Sequence, residues 1–200
     1  MENHNRLSGQ EVSDFHHLIL LDRSGSMDSI RTAVLEIFNQ YLLRLKEDSS
    51  ELRRHFLTMY SFAYREQADD FMEHHFQTDV CTVEHLDLQY YQPDGRTPLN
   101  DAIVRAASLL YPQLELADVP VKVKFIIITD GIENASVFTT NDMVKLWVTM
   151  LQDKGWEIEY LGLGINPEAD SIEKGIQHYK SFNTDHEGIM AFQFHLNSRI

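Results

Sequence analysis

Asp22, Ser24 and Ser26 stand at every second position of the stretch LILLDRSGSMDS (18–29), and each offers a hard oxygen. A strand that only had to stop could do so in almost any turn residues; oxygens at alternating positions look instead like a ligand set. Two further stretches add the same chemistry. YYQPDGRTPLNDAI (90–103) presents the hydroxyl of Thr97 on a Gly-containing loop just before a helical pattern, and KFIIITDGIEN (124–134) presents the carboxylate of Asp130 at the end of the strongest apolar run in the chain. All of these donors are oxygen, with neither His nor Cys among them. Such a set suits a hard cation, Mg²⁺ first, with Mn²⁺ or Ca²⁺ as alternatives, and argues against zinc or copper.

These residues need elements to position them. DFHHLILLD (14–22) and VKVKFIIITD (121–130) are β-rich runs whose apolar stretches do not alternate, as in strands covered on both faces of a parallel sheet. Helical spacing appears at Ile30, Ala33, Val34, Ile37, Tyr41 and Leu45, again at Leu99, Ala102, Ile103, Ala106 and Leu110, and again at Met143, Trp147, Met150 and Leu151. HFLTMYSFA (55–63) reads as a further strand. DDFMEHHF (69–76) follows it after so short a gap that it must pair antiparallel, as a hairpin at a sheet edge. WEIEYLGLG (156–164) and HYKSF (178–182) complete the strands, and a last helix runs through Ile189, Phe192 and Leu196. Capping boxes are expected at Thr139 with Asp142 and at Thr184 with Glu187. The alternation predicts an α/β fold: a doubly wound, Rossmann-like, mainly parallel sheet with one short antiparallel edge strand and helices on both faces. Ligands of such sheets bind beyond the carboxyl ends of the strands where the winding reverses, and Asp22 ends the first strand, the usual place for that reversal.

With its strands, helices and oxygens in this order, the chain resembles a von Willebrand factor type A (vWA) domain carrying a metal-ion-dependent adhesion site, whose pattern is D-x-S-x-S, a distant T and a distant D. DRSGS, TPLND and TDG match that pattern in order, and the likeness spans residues 14–200. GRTPLNDAI in particular is similar to small stand-alone bacterial members, including those associated with tellurite resistance and stress response. The resemblance implies that Ser24, Ser26 and Thr97 bind the ion directly while Asp22 and Asp130 act directly or through water. It implies protein binding rather than turnover, a Glu or Asp of the partner taking the exchangeable position on the metal. Gly25 is expected to let the backbone turn between the serines, and Asp28 and Asp101, at helix starts, to serve as caps or as support behind the ligands.

Composition bounds the alternatives. The chain of 200 residues carries 17 basic and 31 acidic residues, a net charge of −14, which repels the phosphate backbone that nucleic-acid-binding proteins must neutralise. A single cysteine, Cys81, excludes an intrachain disulfide, and no apolar run approaches a membrane span or a signal peptide; a cytoplasmic location is expected. Residues 1–13 read as a flexible segment and 14–200 as one domain. The pairs His16-His17 and His74-His75 cannot easily chelate one ion, since neighbours on a strand face opposite ways, so surface or packing roles are expected. Cys81 lies in no nucleophile motif, and a buried or inert thiol is expected. Tyr90 and Tyr91 either rim a binding surface or pack. RSGSM lacks the first glycine of a nucleophile elbow, and no phosphate-cradling glycine loop is present. The competing enzymatic reading is a Mg²⁺-dependent phosphohydrolase with Asp22 as nucleophile, but the second carboxylate such a site carries two residues later is Ser24 here.

Overall fold

The computed structural model describes residues 13–66, 68–117 and 121–198. The expected flexible segment lies outside the described residues except for Ser13, which opens the first strand. The elements follow as β1 (Ser13–Asp22), α1 (Arg31–Asp48), β2 (Arg53–Arg65), β3 (Ala68–Asp79), α2 (Leu99–Glu115), β4 (Val121–Thr129), α3 (Asn141–Asp153), β5 (Glu157–Leu163), α4 (Glu168–Glu173), β6 (His178–Phe182) and α5 (His186–Asn197). Short 3₁₀ turns at Gly25–Ile30 and Val80–Thr82 lead into and out of the early elements.

The strands form one sheet in the order β3-β2-β1-β4-β5-β6, parallel throughout except for the antiparallel β2–β3 hairpin at one edge. The chain winds outward from β1 in one direction through β2 and β3 and in the other through β4, β5 and β6, so the reversal lies between β1 and β4. Successive β1 residues serve two cores. Ile19 and Leu21 pack under α1 and α5, while Leu18 and Leu20 pack under α2 and α3. That two-sided burial is why the sequence of β1 does not alternate.

Every strand and long helix expected from the pattern is present; the departures are local. Helix α3 buries Val144, Val148 and Leu151 and leaves Met143 exposed, so its inward stripe sits one residue from the one anticipated. Both capping positions also slip by one. Thr140 caps α3 through Met143 N, and Asp185 caps α5 through Gly188 N. At α5 a carboxylate outcompetes the neighbouring Thr184 hydroxyl because its charge also favours the positive end of the helix. Gly188 is required there: a Cβ would stand 2.1 Å from the carbonyl oxygen of Asn183. The short helix α4 had no recognisable period. Cys81 is exposed, not buried, since it lies on a one-turn 3₁₀ segment whose only inward residue is Val80. Among the described residues no helix is long and apolar enough to cross a membrane.

The histidine pairs pack, as expected, on opposite faces. His16 Nε2 meets Thr58 Oγ1 at 2.8 Å, and His74 Nε2 meets Ser61 Oγ at 2.8 Å. His17 belongs to a longer chain of bonds: Nδ1 to the Tyr41 hydroxyl (2.7 Å), Nε2 to His55 Nδ1 (2.9 Å), and His55 Nε2 to Asp48 (2.9 Å). The carboxylate can only accept, which fixes every proton in turn: His55 Nε2–H donates to Asp48, His17 Nε2–H donates to His55, and Tyr41 O–H donates to His17.

Burial disfavours the charged form of these rings, lowering His16 to about 4 and His17 well below its usual value. Unfolded histidines take up protons near pH 6.5, so between there and about 4 the unfolded chain binds more protons than the fold, and stability falls as pH drops through that window. His16 alone should cost about 2 kcal/mol between about pH 7.5 and about pH 5. Urea melts of the wild type and His16→Gln at both pH values check this, the variant losing less stability on acidification.

Candidate metal centre

The centre is assembled at the carboxyl ends of β1 and β4. Asp22, the last residue of β1, is 0% exposed. Its Oδ1 accepts Ser24 N–H (2.7 Å), its Oδ2 accepts the Thr129 hydroxyl (2.6 Å), and its backbone carbonyl accepts the Tyr91 hydroxyl (2.5 Å). Tyr91 is thus a packing residue, whereas Tyr90 is exposed. From Asp22 the oxygens run outward. Ser24 and Ser26 place their hydroxyls 3.3 Å apart, and Ser26 O–H donates to Asp130 Oδ1 at 2.7 Å.

Thr97 arrives from a third direction. Its N–H donates to Asn134 Oδ1 (2.9 Å), and its carbonyl accepts Asn134 N–H (3.1 Å), which ties the loop before α2 to the loop after β4. A Cβ on Gly131 would lie 3.1 Å from Thr97 Oγ1 and 3.9 Å from Asp22 Oδ2. The Thr97 hydroxyl and the Asp22 carboxylate therefore border one small space, kept open by a glycine. All five residues anticipated from the sequence meet here. The cluster is buried at Asp22, Ser24 and Thr97 and opens to solvent at Ser26 and Asp130.

The turn between the serines does not need the left-handed freedom of Gly25, whose N–H pairs with Gly95 O at 3.1 Å; the glycine whose conformation is required lies on the Thr97 loop. It is Gly95, at φ +83°, where a Cβ would come within 2.3 Å of Tyr64 O. Asp94 N–H donates to Arg23 O, and Tyr64 and Arg96 exchange backbone bonds, so the Thr97 loop is stitched to both β2 and the serine loop.

The electrostatics favour a cation. Burial pushes the Asp22 carboxyl up to about 6, opposed by the Thr129 and Ser24 bonds and reinforced by the charge of Asp130. Burial likewise raises Asp130, against the pull of Ser26. The cation between Asp22 and Ser24 turns away from them: Arg23 is buried toward the β2–β3 edge, with Nε on Ser61 Oγ (3.1 Å) and Nη2 on Asp70 (2.8 Å). Two carboxylates and three hydroxyls, without a nitrogen donor among them, fit a hard divalent ion. Asp22 is fully buried and each of its carboxylate oxygens accepts a hydrogen bond.

Sequence reasoning missed Glu133. Its carboxylate accepts Asn100 N–H (2.7 Å), Ala135 N–H (2.8 Å), Ser136 N–H (2.6 Å) and the Ser136 hydroxyl (2.7 Å). It caps α2 from another loop, since Pro98 at the N-cap supplies no side-chain bond. The available signal was an acid three residues after Asp130, in a loop facing an uncapped helix. Asp101 supports as expected, though it caps a loop and not its own helix: its carboxylate accepts Val137 N–H (2.7 Å) and Phe138 N–H. Asp28 only pairs with Arg31 at the surface (3.2 Å).

No protein-family model matches this chain, and no curated protein is similar to it in sequence. Solved structures are similar in fold. The pilus adhesin SpaC from Lactobacillus rhamnosus GG superposes with a TM-score of 0.65 at 12% identity, over 94% of this chain and 30% of that one. Proximal thread matrix protein 1 from the mussel byssus gives 0.61 at 13%, over 94% and 46%. A von Willebrand factor type A protein from Catenulispora acidiphila gives 0.56 at 13%, over 92% and 42%. This chain spans less than half the length of each. The fold is that of a vWA domain.

Replacing Glu133 by Ala strands three backbone N–H groups and frees the loop that carries Asp130, and should lower stability by about 2 to 3 kcal/mol. Urea unfolding measures it, and Glu133→Gln, which keeps one acceptor oxygen, should recover part of the loss.

Proposed function

We propose that this chain is a Mg²⁺-dependent protein-binding module whose metal, for which Mn²⁺ or Ca²⁺ could substitute, captures a Glu or Asp carboxylate of a protein partner. The observation that carries the proposal is the convergence of Asp22, Ser24, Ser26, Thr97 and Asp130 from three separate loops onto one partly open cluster of oxygens. Ser24, Ser26 and Thr97 would hold the ion, with Asp22 and Asp130 beside it or joined to it through water. The ion supplies an electrophilic point for an incoming anion. Two carboxylates only balance the ion's charge, and where they act through water the ion stays electrophilic; the loop bonds through Asn134 and Glu133 hold the donors in place before any partner arrives.

Binding is favoured over catalysis by the state of Asp22. As a phosphohydrolase nucleophile it would need an exposed, unengaged oxygen, and both of its oxygens accept bonds in a fully buried position. An adhesin among the structural neighbours is an attachment protein by name, in keeping with a binding role. The net charge of −14 disfavours nucleic acid and anionic membrane as partners.

Titration calorimetry should register one Mg²⁺ per chain, with Asp22→Ala weakening the ion about 10- to 100-fold. Thr97→Ala removes a neutral donor from a separate loop and should spare ion affinity more than partner capture. Absence of both binding heat and a melting shift at millimolar metal would reduce the cluster to a strand end. EDTA should leave circular dichroism unchanged, because the sheet and both cores form from buried apolar residues without the ion.

A further inference from the structure

The surroundings of the metal centre are unlike on its two sides. On the β4 side, the loop after Asp130 displays Ile132 at 57%, Val137 at 64% and Phe138 at 80% exposure. Large apolar side chains scattered singly over a surface are ordinary; here three fall within seven residues, on a loop that is not free to fold them away. The bonds of Glu133 to Ala135 and Ser136, and of Asp101 to Val137 and Phe138, clamp the backbone and hold the side chains outward. Rigid apolar display of this kind marks an interaction surface.

On the β2 side stands Arg96, the residue before Thr97. Three other arginines at this end of the sheet have carboxylate partners: Arg23 and Arg65 pair with Asp70, and Arg31 pairs with Asp28. Arg96 is exposed, and its guanidinium lies over the Tyr64 ring at 4.9 Å; among the described residues it forms no ion pair. Its backbone is fixed by the bonds to Tyr64 at the end of β2. In a chain of net charge −14, an un-neutralised arginine beside the centre is a local complement to negative charge. Neighbouring strands lie about 4.8 Å apart and an extended peptide advances about 3.3 Å per residue. Arg96, the oxygen cluster and the apolar loop, at the ends of β2, β1 and β4, therefore fall within the span of one short segment.

We propose that the partner presents a segment in which the metal-binding Asp or Glu stands between a second acidic residue, received by Arg96, and a bulky apolar residue, received by Ile132, Val137 and Phe138. This rests on the metal-site reading above and specifies its partner. The central carboxylate supplies anchoring, and the flanks supply specificity and direction, since a segment bound the other way round would set its acid on the apolar loop and its apolar residue on Arg96.

The test selects a displayed library of short peptides with a fixed central Asp or Glu against the full chain in Mg²⁺, eluting with EDTA. Eluted peptides should carry an acid on one side of the centre and Phe, Leu, Ile or Met on the other. A synthetic consensus peptide should bind Arg96→Glu and Phe138→Ser each about tenfold more weakly, as loss of an interface arginine or aromatic commonly does. Both side chains are exposed, so melting temperature should stay near the wild-type value and Mg²⁺ heat should persist in both variants, strengthened if anything in Arg96→Glu by the added negative charge. EDTA-eluted peptides without the flanking pattern, or a consensus peptide indifferent to both substitutions, would overturn this inference and leave the metal site standing. Normal Mg²⁺ heat with no EDTA-eluted peptide overturns it too, whereas absence of Mg²⁺ heat removes the metal site and this inference together.

Discussion

Burying a carboxylate costs several kcal/mol unless it is bonded on every side, and Asp22 meets that condition only when four distant parts of the chain are in place. The serine loop gives an amide, β4 gives the Thr129 hydroxyl, and the segment before α2 holds the adjoining carbonyl through Tyr91. The loop carrying Thr97 closes over the same space, stitched to β2 by Gly95 and Arg96. Removing the Ser24 or Thr129 bond strands a charge at the end of the central strand, and removing Tyr91 strands a buried carbonyl. The geometry of the centre and the integrity of that end of the sheet are one constraint.

The five oxygens were legible in the sequence because their positions follow local rules. Asp22, Ser24 and Ser26 share one loop, and Thr97 and Asp130 stand where a helix begins and a strand ends. The α/β alternation was legible for the same reason, since strands buried on both faces and amphipathic helices each leave a periodic trace. What holds the oxygens together left no such trace. Tyr91 and Thr129 act on Asp22 from 69 and 107 residues away, and Glu133 caps a helix to which it does not belong. The one-residue slips at the helix starts arose where two adjacent residues could each cap: at α5 the charged Asp185 prevailed over Thr184, and at α3 Thr140 caps while the carbonyl of Thr139 is held by Asn100.

The two ends of the sheet carry opposite chemistry. At the amino ends, burial disfavours charge on His16, His17 and His55, and Asp48 at the end of the chain of bonds sets the protons of His55 and His17. At the carboxyl ends, paired acids lie close together with Arg23 turned away from them. Between them the central strands bury apolar runs, residues 18–21 of β1 and 125–128 of β4.

The pairing of β1 with β4 also sets a timetable for synthesis. During translation β1 can pair first with β2, whose residues lie about forty positions downstream, while the Thr129 hydroxyl that completes the shell of Asp22 is made 107 residues after it. Domains generally fold as units, the N-terminal one first, so this sheet waits for its last strands. A nascent chain that has reached β3 therefore lacks both the hydroxyl that bonds Asp22 and the Asp130 carboxylate. The oxygen cluster is consequently completed late, when β4 takes its place beside β1.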